Sequence, residues 1–187
     1  MSAASGEWPE DFLTALSSPA PAPAAGSAVA YAAALAAALV LKVCRITLAK
    51  KQSPFPPLAD MVLPAVNLKA ELLRLAEEDR AAVAGFFEAV KGKSADAKKI
   101  LEEKRFLFTL IPLGIGENSA AVGELASRAH ELVWSGVRDD AAAAVLLAMA
   151  AGQASAGLVR TNLRFAPDAP WKLDVEARLA NLSDRLG

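Results

Sequence analysis

Between Pro19 and Lys51 the chain passes from a Pro/Ala run, PAPAPAAGS, into a long Ala-rich apolar segment that closes on Lys50 and Lys51. Proline is excluded from a helix interior but tolerated at its start, and alanine is the strongest helix former. The pattern predicts one long helix over about 27–50. Ser27 is placed to cap it, because its hydroxyl can accept from an unpaired N–H of the first turn. The two lysines suit the other end, where the backbone carries partial negative charge. A helix with so little side-chain bulk lets neighbouring backbones approach closely, which suits the centre of a bundle.

The rest of the chain supplies its neighbours. Phe12, Leu13 and Leu16 make a short amphipathic turn or two before the prolines, and QSPFPP from Gln52 to Pro57 must be a loop. A second long helix is predicted from about 58 to 91, with Pro64 as a kink or restart. Ser94 can cap a third helical region over about 95–134, which Pro112, Gly114 and Gly116 are expected to split. Asp139 or Asp140 then caps a helix over about 140–164, and APDAP precedes a last one from Trp171 to Leu186. No alternating run argues for a strand. The predicted fold is all-α: one domain over 1–187, a bundle of long antiparallel helices around the Ala-rich one.

Composition narrows the function classes. A formal net charge of −1 gives no overall pull toward nucleic acid. The single cysteine, Cys44, cannot form an internal disulfide, and one histidine, His130, cannot begin a His/Cys zinc cluster. A reducing cytoplasm is the expected compartment. The apolar run Ala28 to Leu41 is 14 residues long, short of the roughly 20 that a spanning helix needs. Glu7, Glu10 and Asp11 stand where a secretory signal needs positive charge. A buried soluble helix is therefore expected, without a membrane partner.

Asp79 is the most informative single residue. Leu68, Leu72, Leu75, Ala76, Val83, Phe86 and Val90 recur at helical spacing as one apolar stripe, and Asp79 falls on it. Glu77 and Glu78 point away, as solvated carboxylates should. A carboxylate among apolar neighbours has its charged form disfavoured, which moves its pKa toward the range useful for proton transfer. The alternative is a buried ion pair with an arginine of a neighbouring helix. Asn162 lies on a face with Ala151, Ser155 and Leu158, where its amide needs hydrogen-bond partners, either a backbone or a ligand edge.

The chain resembles the cyclodeaminase/cyclohydrolase family, which comprises the cyclodeaminase domain of formiminotransferase-cyclodeaminase and stand-alone methenyltetrahydrofolate cyclohydrolases. The family opens with S-S-x-P-T-P-G-G-G-S and an Ala/Gly-rich helix ending in K-K. Ser18, Pro21, Pro23, Gly26, Ser27, Lys50 and Lys51 fall in that register. Its D-x-x-A-[FY] falls on Asp79, Ala82 and Val83; V-P-L on Ile111, Pro112 and Leu113; S-D on Arg138 and Asp139; and N-x-x-x-N-L on Leu158, Asn162 and Leu163. The resemblance runs over about 12–165. Two glycines of the loop have become Ala24 and Ala25, and Arg138 and Leu158 replace a serine and an asparagine.

The resemblance implies an enzyme acting at the N5/N10 bridge of tetrahydrofolate, as a formiminotetrahydrofolate cyclodeaminase or a methenyltetrahydrofolate cyclohydrolase. Asp79 is the implied acid/base. Pro23, Gly26, Ser27, Asp139 and Asn162 are implied substrate contacts, with Arg45, Lys50 and Lys51 receiving the glutamate tail. It implies no metal, no cofactor beyond the folate substrate, and a homodimer. The alternative is a non-catalytic member that binds a small ligand or a protein partner.

Overall fold

A computed structural model describes residues 7–50, 56–92, 97–166 and 168–187, and these form six α-helices and a single 3-10 turn. In chain order they are α1 (Glu7–Leu16), α2 (Ala25–Leu48), α3 (Pro56–Lys91), α4 (Ala97–Leu132), the 3-10 turn Ser135–Val137, α5 (Arg138–Arg164) and α6 (Lys172–Arg185). The architecture is the predicted all-α bundle. Helix α2 packs against α3, α4 and α5, and shares the centre of the bundle with α4, which meets α2, α3, α5 and α6. Its side chains Ala30, Ala33, Ala34, Ala36 and Ala37 are buried, and they meet Leu72, Leu75, Ala76 and Ala82 of α3 and Ala148 and Ala151 of α5. Alanine on both sides of the α2–α5 contact allows the close approach expected of this sequence. Larger side chains fill the flanks: Leu58, Met61, Leu72, Leu113 and Ile115 are all fully or almost fully buried, each contributing about 1.5–3 kcal/mol of transfer free energy.

Three local expectations are corrected. Helix α2 begins at Ala25 with Ala24 at its N-cap and no side-chain cap, so Ser27 lies inside the first turn and does not cap it. Helix α5 begins at Arg138 after Val137, so Asp139 and Asp140 occupy its first turn; there their charge complements the helix N-terminus without capping it. Helix α4 is not split: it runs unbroken for 36 residues through Pro112, Gly114 and Gly116. Gly116 is there for packing, since a Cβ would come within 2.6 Å of Leu182 Cδ2 on α6. Pro64 lies inside α3, which continues through it. The expected Ser94 cap and Lys51 fall outside the described residues.

Three segments, Ala25–Leu48, Lys98–Leu132 and Ser135–Arg164, are long and apolar enough to cross a membrane by length and composition. The fourteen-residue argument from sequence therefore does not stand once the helices are seen at full length. What distinguishes them is mutual cover: their alanines and valines are the core of the bundle. Helix α5 is the least covered, with Leu146 and Leu147 facing outward, and α2 presents Leu35 beside them.

Candidate functional site

Helix α3 carries Asp79 to the first turn of α2. The loop before α2 ends on buried Pro23, and Gly26 and Ser27 then face the α3 segment 76–79. Gly26 is indispensable to this seating, because a Cβ there would overlap the Asp79 carboxylate. The Ser27 hydroxyl lies 2.9 Å from Asp79 Oδ2 and 3.0 Å from the Ala76 carbonyl oxygen. It has one proton for two acceptors. With Asp79 ionised, that proton goes to the carboxylate. With Asp79 neutral, the carboxyl O–H donates to Ser27 Oγ and the serine donates to Ala76. Both protonation states are thus accommodated by one set of heavy-atom positions.

The electrostatics shift Asp79 toward its neutral form. Asp79 is 3% exposed, and among the described residues no cation lies within ion-pair distance, so the expected alternative of a buried arginine pair is absent. Burial pushes its carboxyl above the ordinary range, and the Ser27 hydroxyl and backbone N–H pull it only part of the way back. Helix α2 also lacks a cap of its own, and Asp79 serves the Ser27 N–H of its first turn from a different helix.

The other residues singled out by sequence lie elsewhere. Arg45 is exposed, and Lys50 sits over the Trp134 ring at 3.7 Å from its centroid. At 1.5 Å per residue they stand roughly 28 and 36 Å along α2 from Gly26. Asp139 is exposed at that far end, where its neighbour Asp140 pairs with Lys42 at 2.7 Å. Asn162 is at the Asp79 end, and its Nδ2 donates to the Phe108 carbonyl of α4 at 2.8 Å. The structure therefore gathers Pro23, Gly26, Ser27 and Asp79, and in one protomer it does not gather Arg45, Lys50 or Asp139 with them. Among the described residues no group of three His, Cys, Asp or Glu side chains is placed to hold a metal ion.

A feature the sequence did not reveal lies on the other flank of α3. A cleft of about 610 Å³ opens between α3 and α4, with Leu75, Ala82, Ile111 and Gly114 among its lining and Lys104, Asn118 and Arg178 at its polar edges. Asp79 does not line it. The only sequence signal was the regular spacing of Lys104, Leu107, Ile111 and Gly114 on one face of α4, which is shared by any amphipathic helix.

A long-helix bundle that holds a buried, unpaired aspartate against an Ala-rich helix N-terminus is the class defined by fold and site. The family model for formiminotransferase-cyclodeaminase matches residues 9–181, and the chain belongs to that family. The structure is similar to a crystal structure of formiminotetrahydrofolate cyclodeaminase from Thermotoga maritima. The TM-score is 0.86 at 19% identity, over 95% of this chain and 88% of that one. No curated protein matches in a sequence search.

Proposed function

We propose that the chain is an enzyme of tetrahydrofolate one-carbon chemistry that closes or opens the N5/N10 bridge, with Asp79 as its acid/base. Family membership supports the substrate class. The observation that carries the reading is Asp79 itself: buried, without a counter-ion, and hydrogen-bonded to a serine that fits both of its protonation states. In cyclodeamination, N10 attacks the formimino carbon, a C–N bond forms, and the C–N bond to the departing nitrogen breaks as ammonia leaves. One proton must move from N10 to that nitrogen. A neutral Asp79 gives a proton to the leaving group and takes one from N10, ending as it began. Hydrolysis of the methenyl bridge asks the same group, in its ionised form, to accept a proton from water.

Homodimerisation in a reducing cytoplasm belongs to the same proposal. The outward face of α2 is mostly small, with Ala28 and Ala32 around Leu35, which is 56% exposed near the middle of the helix. One end of this face is basic, with Arg45 and Lys50 beyond a Lys42 already paired with Asp140; the other adjoins the exposed acids Glu10, Asp11 and Glu77. Two copies crossing antiparallel at Leu35 would pair each basic end with an acidic end. That arrangement offers Arg45 and Lys50 of one copy to the Asp79 end of the other, where a glutamate tail would emerge.

A specific observation favours the second reading, a non-catalytic member: at 3% exposure Asp79 is seated as a cap for α2. Ammonia release from 5-formiminotetrahydrofolate and hydrolysis of 5,10-methenyltetrahydrofolate decide between them. Turnover by wild type that drops by about 10²–10⁴ in folded Asp79→Asn supports the enzyme. Turnover that Asp79→Asn leaves intact removes Asp79 from the chemistry, and a folded wild type without either activity leaves the capping role.

A further inference from the structure

The cleft between α3 and α4 is lined by three acids, Glu71, Glu78 and Glu117, and three bases, Arg74, Lys104 and Arg178, and one of the bases stands outside the ion pairs. Arg74 is held on its own helix by Glu71 and Glu78. Arg178 reaches across from α6 to Glu117, with Nε–Oε1 and Nη2–Oε2 distances of 2.9 and 2.7 Å. Both guanidinium groups are therefore occupied. Lys104 is different: it is half-buried and has no counter-ion among the described residues.

Its position is fixed by packing. The end of the Lys104 side chain crosses from α4 to lie over Gly85 of α3, where a Cβ would be 3.6 Å from Cδ, Cε and Nζ alike. The ammonium is thus held against α3 at one end of a cleft whose apolar lining includes Ala81, Ala82, Leu107, Leu110 and Ile111. Further along the cleft, roughly 15 Å up α4 from Lys104, Gly114 keeps space open, since a Cβ on it would touch only the Leu75 methyl groups, at 3.8 Å and 3.9 Å. A cleft of this size, half of its lining apolar and one cation unpaired beside the paired charges, has the form of a small-molecule site. A partly desolvated ammonium gains most from an anionic partner that brings its own apolar cover.

We infer that the cleft between α3 and α4 is a binding site, separate from Asp79, for a carboxylate with an aryl or acyl body, held by Lys104 over the floor of Ala82, Leu107 and Ile111. The carboxylate pairs with the Lys104 ammonium, and the aryl or acyl body replaces water over the floor. The Oδ1 of Asn118, whose Nδ2 is occupied by the Gly114 carbonyl at 2.8 Å, accepts from a donor at the far end of a longer ligand.

The reporter is 8-anilinonaphthalene-1-sulfonate, an aromatic body with one anionic group, titrated onto the full chain and then displaced by 1-naphthoate or by decanoate. Saturable fluorescence is expected, with displacement by at least one competitor; which of the two displaces it distinguishes an aryl from an acyl ligand. Lys104→Ala should weaken the reporter by roughly tenfold, the loss of one charge-assisted contact, and Lys104→Arg should restore most of it. Gly114→Leu should block the cleft from inside the helix. Ala81→Leu does so from an exposed position, which protects the test should the glycine variant misfold. Asp79→Asn should leave the titration unchanged. Binding that ignores Lys104→Ala and both blocking variants, or that neither carboxylate displaces, overturns the proposal; so does binding lost on Asp79→Asn alone. These readouts involve no folate turnover, so they stand or fall separately from the proposed enzyme activity.

Discussion

Asn162 supplies the hydrogen bond that Pro112 cannot make. In an α-helix the N–H of residue 112 would donate to the carbonyl of residue 108, and proline has none. The Asn162 Nδ2 donates to the Phe108 carbonyl at 2.8 Å from the neighbouring helix α5, and α4 continues unbroken through the proline. The pairing accounts for both an asparagine and a helix-interior proline in the core-facing segments of α4 and α5.

It follows that the two positions are energetically coupled. Asn162→Ala leaves the Phe108 carbonyl without a partner and should cost about 1–3 kcal/mol in urea denaturation. In a Pro112→Ala background the helix can close its own hydrogen bond, so the same substitution should cost much less. A double-mutant cycle measures the difference; additive effects would sever the link between the two residues.

The protonation of Asp79 should be visible in stability. Its folded pKa is raised above the ordinary 3.8, so in the window between the unfolded and folded values the native state holds a proton that the unfolded chain has released. Stability must then fall as pH rises through that window and level off above the folded value. Asp79→Asn has no such slope. Its stability relative to wild type should increase with pH from near 3.8 and reach a plateau. Ser27→Ala removes a hydroxyl that favours the anion, so its plateau should come at higher pH. Urea midpoints across a pH series test both, and curves that stay parallel would show Asp79 to be an ordinary ionised carboxylate.

Two glycines of the bundle should respond in opposite senses to alanine. At Gly26 a Cβ overlaps Asp79, and the carboxyl can retreat only into packed α3. Gly26→Ala should therefore destabilise by about 1–3 kcal/mol, as overpacking does, and should abolish any activity that depends on Asp79. At Gly157 nothing lies within 4 Å, and Gly157→Ala should stabilise by about 0.4–1 kcal/mol through reduced freedom of the unfolded chain. Thermal unfolding of the two variants beside wild type gives the comparison.

The bundle was legible because helix length and apolar spacing are local properties: α2, α5 and α6 lie within two residues of their predicted bounds. Asp79 could be picked out for the same reason, as a charge on an apolar stripe. What local reasoning missed depends on other helices. Pro112 is a breaker only until Asn162 arrives from α5, and Ser27 is a capping residue only until Asp79 arrives from α3. Arg45 shares a helix with Gly26 and Lys50 follows its last turn, yet the rise of that helix carries both to the opposite end of the bundle. The cleft beside Lys104 results from how α3 and α4 are spaced, which no single segment encodes.

The proposed homodimer makes a prediction that depends on geometry and not on activity. Leu35 of α2 and Leu146 of α5 are 56% and 71% exposed on adjacent helices, and pairing of two copies across this face would bury both on each side. Leu35→Glu with Leu146→Glu would then place four carboxylates in the interface, each costly to desolvate without a partner. Their surface setting in the monomer means that folding should be little affected. Sedimentation equilibrium at micromolar concentration should give twice 19.4 kDa for wild type and 19.4 kDa for the variant, with unchanged helical circular dichroism. If the dimer also carries Arg45 and Lys50 to the partner's Asp79 end, an inactive Asp79→Asn chain mixed with an inactive Arg45→Ala/Lys50→Ala chain should recover part of the wild-type turnover, because half of the sites in each mixed dimer are intact. A wild type that sediments as a monomer removes this route, and a dimer that survives both leucine substitutions assigns the interface to another face.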